Sequence, residues 1–492
     1  MIFYMAVQLI NTYFIGHTND ATLIAGVGMG NMLINVLAFA VMQGLNGALE
    51  TLISQSYGAS QNAENGERYR KKMRQMCGTF YNRGRYVVTV IMVPIVLIFV
   101  YSDKILIAIK QDPEVSRIAR RYVTIMIPGV WSMGQFDATK KFLSSQYKNR
   151  IPVWVQLGTT IIHLALSSLF VDQLKMRETG AALAMNVTYI LNMLISDACI
   201  RLKQRTDFED MVFWYDSSVY TDIGTYLKIG VPGMLMLCFE WWAFELLAIF
   251  TGLLGVEQLA AEVVIIQMVT FIFMLPLGIS YSASALTGNY LGEGKIDLAK
   301  RFASLAVGLD VLLTTIIVAI LGTFTDPISQ LFTQEENVIA IIKQTLWVLL
   351  IYIWFDTIHG VQSGIIRGLG RQAYGSVYTL FCYYILGMPL ALVLAFTAKM
   401  GIAGLWSGFS IACIILDVGF AMIISCPNWH EIAQKMRKAI EQGRPQTPEA
   451  SNYRKNYMPK VRSSDHGQGE KLIQQEDSPD FNRAQKLNNL EN

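Results

Sequence analysis

The chain of 492 residues is 53% hydrophobic and only 16% charged, with a mean hydropathy of +0.36. Soluble proteins carry about 25% charged residues to cover their surface, so a soluble multidomain fold is excluded, as are disordered, collagen-like and disulfide-scaffold chains. Forty basic residues against 37 acidic ones leave a formal charge of +3, too balanced for a nucleic-acid surface. The composition is that of an integral membrane protein.

Apolar runs long enough for the hydrocarbon core predict about twelve helices in chain order. They fall near residues 2–15, 23–48, 86–101, 122–142, 153–171 and 181–200, then 223–254, 260–286, 302–324, 338–366, 377–398 and 402–425. The first run is short, as in a chain whose start lies upstream. No cleavable leader is expected, because Met1 opens into an apolar run without a basic flank. The six cysteines (Cys77, Cys199, Cys238, Cys382, Cys413 and Cys426) form no C-x-x-C pair, and the histidines are few, so neither disulfides nor a metal site is expected.

Basic residues set the orientation. They crowd the loops after the second span (Arg68, Arg70, Lys71, Lys72, Arg74, Arg83, Arg85), the fourth (Lys140, Lys141, Lys148, Arg150), the eighth (Lys295, Lys300, Arg301) and the tenth (Arg367, Arg371). These loops are expected in the cytosol, and with them both termini. The loop after the third span is an exception, its Lys104, Lys110, Arg117, Arg120 and Arg121 being partly offset by Asp103, Asp112 and Glu114.

The chain resembles itself. Gly44–Gly58 (GLNGALETLISQSYG) aligns with Gly278–Gly292 (GISYSASALTGNYLG), matching Gln55 to Asn289 and Gly58 to Gly292. A duplicated unit of six helices follows, its copies related by an axis along the membrane normal. The expected organisation is an N-lobe over 1–205, a cytosolic linker over 206–222 and a C-lobe over 223–426. An interfacial amphipathic helix over 427–441, with Trp429, Ile432, Met436 and Ile440 on one face, and a disordered cytosolic tail over 442–492 complete it.

Ionisable groups inside apolar spans are costly and mark functional candidates. The densest set is Glu240-Trp241-Trp242-Ala243-Phe244-Glu245 in the seventh span. Glu240 and Glu245 lie roughly 140° apart on a helix, so both cannot enter one narrow cavity. Trp241 and Glu245, four apart, share a face and place an aromatic plate beside a carboxylate, which suits an organic cation. In the tenth span Asp356 and His359 share a face, and a buried carboxylate there can take up and release a proton. The bland alternative for each is a hydrogen bond that fixes packing.

Gly360, Gly364 and Gly368 form a small-residue seam, and Pro276 with Gly278 could act as a hinge in the eighth span, although simple packing is the better reading of both. Glu50 and Glu262 are expected near helix ends within reach of water, Asp310 and Asp417 alone, and Asp137 and Asp197 snorkelling toward basic loops. His163 reads as a satisfied core histidine. With no P-loop, direct ATP drive has no support.

At these residues the chain resembles the eukaryotic branch of the multidrug and toxic compound extrusion family. Phe14-Ile15-Gly16-His17 is similar to its FVGH, and Glu50-Thr51-Leu52-Ile53-Ser54-Gln55-Ser56-Tyr57-Gly58-Ala59 to its acid-T-L-x-x-Q-x-x-G-A signature, with Glu50 where Asp is usual. Glu240 to Glu245 matches E-W-W-x-[FY]-E, Gly288 to Gly294 matches GNxLGxG, and Asp356 to Gly368 matches DxxxGVxSGxxRG.

The resemblance implies an all-α membrane fold of two pseudo-symmetric six-helix lobes in a V. It also implies alternating access and export of organic cations, xenobiotics or metabolites against protons, sometimes Na+, with no cofactor. Its C-lobe acids carry over onto Glu240, Glu245 and Asp356, with Glu50 and Gln55 as further candidates. Some animal members have another acid in the eighth span, where this chain has Gln267, and the usual first-span proline is unmatched. A monomer in the plasma membrane or a vacuolar or vesicular membrane is expected. A lipid flippase on the same two-lobed plan would need a basic lateral cavity, and an enzyme would need a nucleophile–base pair; the spans offer neither.

Overall fold

The computed structural model describes residues 2–18, 20–204, 206–212, 219–324 and 336–441. The expected tail over 442–492, part of the interlobe linker and part of the ninth-to-tenth loop lie outside these residues. The described chain is helical throughout. Its N-terminal half runs α1 (Ile2–Gly16), α2 (Ala21–Leu33), a π-helical stretch (Ile34–Phe39) and α3 (Ala40–Gln61), the last three forming one continuous span. There follow α4 (Glu67–Val100), the short α5 (Ser102–Ala108), α6 (Pro113–Ser144), α7 (Arg150–Ser167) and α8 (Arg177–Leu202).

The second half runs α9 (Ile223–Gly252), α10 (Val256–Glu293), α11 (Ile296–Thr323) and α12 (Glu336–Leu369). Then come α13 (Gln372–Leu380), α14 (Met388–Leu392), α15 (Ile402–Ser425) and α16 (Trp429–Glu441), with π-helical turns on either side of α14. Ten of the spans so formed are long and apolar enough by composition to cross a bilayer. The other two of the twelve are α1, which at 15 residues reaches about 22 Å, and α6, whose ends carry charges. Many spans exceed the predicted apolar runs because their polar ends continue as helix: α4 begins in the basic segment at Glu67, well before Tyr86. This is a multi-pass membrane protein.

Local signals explain the ends. Asp112 caps α6 by accepting from the backbone N–H groups of Glu114 and Val115, and Pro113 supplies the fixed φ of a first turn. Gly294, at φ +85°, turns the chain out of α10 in a conformation that other residues rarely adopt.

One apolar core in the N-terminal half is built around Leu23, Phe99, Tyr122, Met126 and Met185; another in the C-terminal half surrounds Ile265, Tyr352, Trp406, Phe409 and Phe420. Between them α3 is the central contact, packing on α9, α10 and α12. The internal repeat becomes a reciprocal joint here. A Cβ at Gly58 would collide with the Asn289 backbone, and one at Gly292 with the Gln55 backbone. Since Gln55 and Asn289 are the paired positions of the repeat, each copy contributes the same groups to the other, as a twofold-related interface requires.

Described linker residues fold onto the N-terminal half, where Phe208 and Met211 are buried with Phe142 and Ile200 and the buried Val219 accepts from Arg83 through its carbonyl. The helix α16 departs from expectation. Its Trp429, Ile432 and Met436 are buried in a cluster with Ala59 and Met73 of the first half and Leu291, Ile296 and Ala299 of the second. The amphipathic face is thus spent on protein rather than on the acyl boundary of a bilayer.

Candidate transport site

The acids of α9 diverge as their spacing dictates. Glu240 turns into the C-terminal half and is 6% exposed, whereas Glu245 is half-buried and meets no hydrogen-bond or ion partner among the described residues. Facing Glu240 is α12. Its His359 places Nε2 3.7 Å from Glu240 Oε2, and the Tyr352 hydroxyl donates to Asp356 Oδ1 at 2.7 Å. One ligand atom each from Glu240, Asp356 and His359 lie within 4.8 Å of one another, and all three residues are buried. Among the described residues, neither ring nitrogen of His359 has a hydrogen-bond partner. A buried imidazole with both nitrogens orphaned is costly, so this cluster can receive a proton or hold a cation that the two carboxylates and His359 would share.

The tryptophans face the other way. Trp241 packs against Phe39 (ring centroids 5.5 Å apart), Phe39 stacks on Tyr4 at 5.0 Å, and Trp242 donates its indole N–H to the Val36 carbonyl at 3.2 Å. The π-helical stretch at 34–39 thereby meets α9 across the interface of the halves, and the aromatic row lies on the face of α9 that also carries Glu245.

Several acids are not where the sequence suggested. Asp310 and Asp417 do not stand alone: both are buried, both lie within electrostatic range of Asp356, and neither oxygen of Asp417 has a hydrogen-bond partner among the described residues. Glu262 is fully buried rather than near water, accepting from the Trp406 indole at 2.8 Å. That indole stands edge-on to Tyr352, with centroids 4.9 Å apart. Sequence spacing could not reveal these meetings, because the partners lie on different spans.

Gln267 is exposed and takes no place in the buried cluster; the acid this half buries on α10 is Glu262, five residues earlier. Glu50 is also buried, held by Lys141 and Arg367. Gln55 reaches the Gly368 carbonyl at 3.0 Å. Both therefore sit at the joint between the halves, away from the Glu240 cluster. Asp137 is tied to Lys140 and Lys141, and Asp197 to Arg85 at 2.9 Å, so neither snorkels free. His163 is a core residue facing the Thr188 hydroxyl at 3.0 Å.

The glycine seam packs on α10. A Cβ at Gly360 would lie 2.9 Å from the Phe273 ring, and one at Gly368 would lie 2.7 Å from the Ser284 carbonyl oxygen. Gly364 is the tightest of the three, set against the Ser280 backbone. Pro276 is buried within an unbroken α10, while Gly278 faces open space.

Two bundles that repeat one plan, joined through α3 and holding orphaned acids inside the second, define a transporter rather than an enzyme. The MatE family model matches residues 1–169 and 232–393, and the chain belongs to that family. It is 29% identical to multidrug and toxin extrusion protein 1 of Oryctolagus cuniculus over 432 residues, covering 88% of this chain and 73% of that one. The Homo sapiens protein of the same name is 29% identical over 434 residues, covering 87% and 73%. Among solved structures, the eukaryotic MATE transporter AtDTX14 superposes with a TM-score of 0.81 at 26% identity, covering 89% of this chain and 94% of that one. A Vibrio cholerae MATE transporter, VcmN, shares the fold at a TM-score of 0.74 and 18% identity, covering 87% and 94%. The chain is thus an efflux transporter with the V-shaped two-lobed fold of its family.

Proposed function

We propose that this chain exports small organic cations or related metabolites in exchange for protons, by alternating access between its two lobes. The observation that carries this reading is the buried Glu240–Asp356–His359 cluster, adjoined by Tyr352 and backed by Asp310 and Asp417. Carboxylates this poorly partnered are stable only when a proton or cation accompanies them. Protonation from outside neutralises Glu245 and Asp356 and releases the bound cation. Loss of those protons to the cytosol restores the charged site for the next one. The Tyr4–Phe39–Trp241 row offers ring faces to a cationic substrate beside Glu245.

Sodium coupling is the second reading, favoured by three ligand atoms within 4.8 Å. The imidazole argues for a proton, because sodium prefers oxygen donors. The basic loops favour cytosolic termini, and on this reading the protein acts as a monomer in a plasma, vacuolar or vesicular membrane.

The test is uptake of a fluorescent organic cation into proteoliposomes under an imposed proton gradient, with a sodium gradient as the second arm. Proton-driven uptake supports the first reading. Uptake that follows only sodium replaces it with the second, and uptake driven by neither overturns both.

A further inference from the structure

The ends of the spans that border the basic loops all meet in the structure. Asn62 donates to the Glu293 carbonyl at 2.9 Å, Asn289 to the Ser145 carbonyl at 2.8 Å, and Gln372 to the Thr51 hydroxyl at 2.6 Å. The Thr51 hydroxyl in turn donates to the Arg367 carbonyl at 2.6 Å. These bonds are neutral, and water can replace each at little net cost.

One contact of the seam is an ion pair. Arg367 on α12 places Nε 2.9 Å from Glu50 Oε2 on α3, a charge-assisted bond about twice as strong as a neutral one. Both side chains are nearly enclosed, at 12% and 4% exposed. Each also has a reserve partner in its own lobe. Glu50 Oε1 is 3.3 Å from Lys141, which also bonds the Gln43 carbonyl and Asp137. Arg367 donates to Ser363 Oγ at 3.1 Å and to Ser280 Oγ at 2.9 Å. Pulling the pair apart leaves Glu50 on Lys141 and Arg367 on two hydroxyls, so the bond can open and close more readily than a buried pair whose partners have nothing else.

Arg367 also stands on the coupling helix. Residues 356, 360, 363 and 367 recur on one face of α12, and Arg367 lies about 16 Å along the axis from Asp356. It is within electrostatic range of both Glu240 and His359. A change of charge in the cluster is therefore felt at the seam.

We infer that Arg367 is a gating residue of the transport cycle: its ion pair with Glu50 latches the lobes at the basic-loop end and must break for that end to open. The inference rests on the alternating-access reading. The seam it closes is also the one that α16 covers from outside, through the cluster that joins Met73 to Ile296.

The experiment reads the seam directly. Ser145 is 1% exposed and its hydroxyl makes no hydrogen bond among the described residues, so Ser145→Cys is a mild reporter. It is placed in the full chain with the less buried Cys199 and Cys426 changed to Ser. A charged maleimide is applied to inside-out vesicles, and Cys77, fully buried, reports global unfolding. Glu50→Gln and Arg367→Gln should each raise Ser145→Cys labelling at least tenfold with Cys77 still silent. Arg367→Lys, which keeps the charge, should stay within about threefold of the parent.

Parental labelling in Glu50→Gln overturns the inference, and so does equal labelling of Arg367→Lys and Arg367→Gln. If Arg367→Gln does not fold, Glu50→Gln decides alone. Labelling does not depend on cargo, so a failed export assay leaves this result standing, and an unlatched seam that never gated labelling leaves export untouched.

Discussion

The contact of α10 with α12 gives the sharpest stability prediction. At Gly364 an added Cβ would lie 2.8 Å from the Ser280 carbonyl carbon and 2.6 Å from Ser280 Oγ. Carbon–carbon contacts settle at about 3.5–4.0 Å, so Gly364→Ala forces the helices roughly 1 Å apart. The obstacle is backbone and cannot rotate away. Ser280 Oγ also donates to the Gly360 carbonyl at 2.6 Å and accepts from Arg367, and both bonds stretch with the shift. Overpacking costs about 1–3 kcal/mol and a weakened hydrogen bond about 1 kcal/mol, for a total near 2–4 kcal/mol. At about 2–4 °C per kcal/mol for a unit of this size, the apparent unfolding midpoint should fall by about 4–16 °C. The assay is thermal unfolding of detergent-purified protein at one fixed scan rate, since such transitions are often irreversible. Gly278→Ala is the control: its Cβ would meet nothing within 4 Å. The change should be neutral or stabilising by up to about 1 kcal/mol. Equal midpoints for the two variants would refute the packing argument.

Other outcomes follow from the same geometry. Trp406→Phe removes the donor to Glu262 and should cost about 1–3 kcal/mol; paired with Glu262→Leu, the double variant should be less destabilised than the sum of the two by at least about 1 kcal/mol. Additive midpoints would show that the 2.8 Å bond is energetically idle. Trp429→Ala should release α16, whose indole also donates to the Ile424 carbonyl at 2.8 Å. Limited trypsin digestion should then cut after Lys435 at least tenfold faster, while unchanged cleavage would mean that the apolar face is not docked.

The spans were legible because hydropathy in a bilayer is a one-dimensional signal: backbone groups in lipid must bond within the helix, and apolar length follows. The repeat was legible too, through Gly58, Gly292, Gln55 and Asn289, residues now seen to make the reciprocal joint. Charges were read less well. Glu50 was placed near water, and what buries it is Lys141 and Arg367, which come from other spans and are invisible to local spacing. Asp310 and Asp417 looked solitary for the same reason. Helical periodicity put His359 with Asp356, but it could not show that Glu240 would arrive opposite. The amphipathic pattern of α16 was real; sequence alone could not choose between lipid and protein as its partner.

The central claim is that C-lobe carboxylates, the half-buried Glu245 and the buried Asp356, carry the coupling charge. The most direct measurement is proton-gradient-driven uptake of an organic cation into proteoliposomes by the parent protein and by Glu245→Gln and Asp356→Asn, at matched protein density. Coupled uptake should fall at least tenfold in each variant while the purified protein stays folded and monodisperse. Undiminished gradient-driven uptake in both would remove these residues from the mechanism.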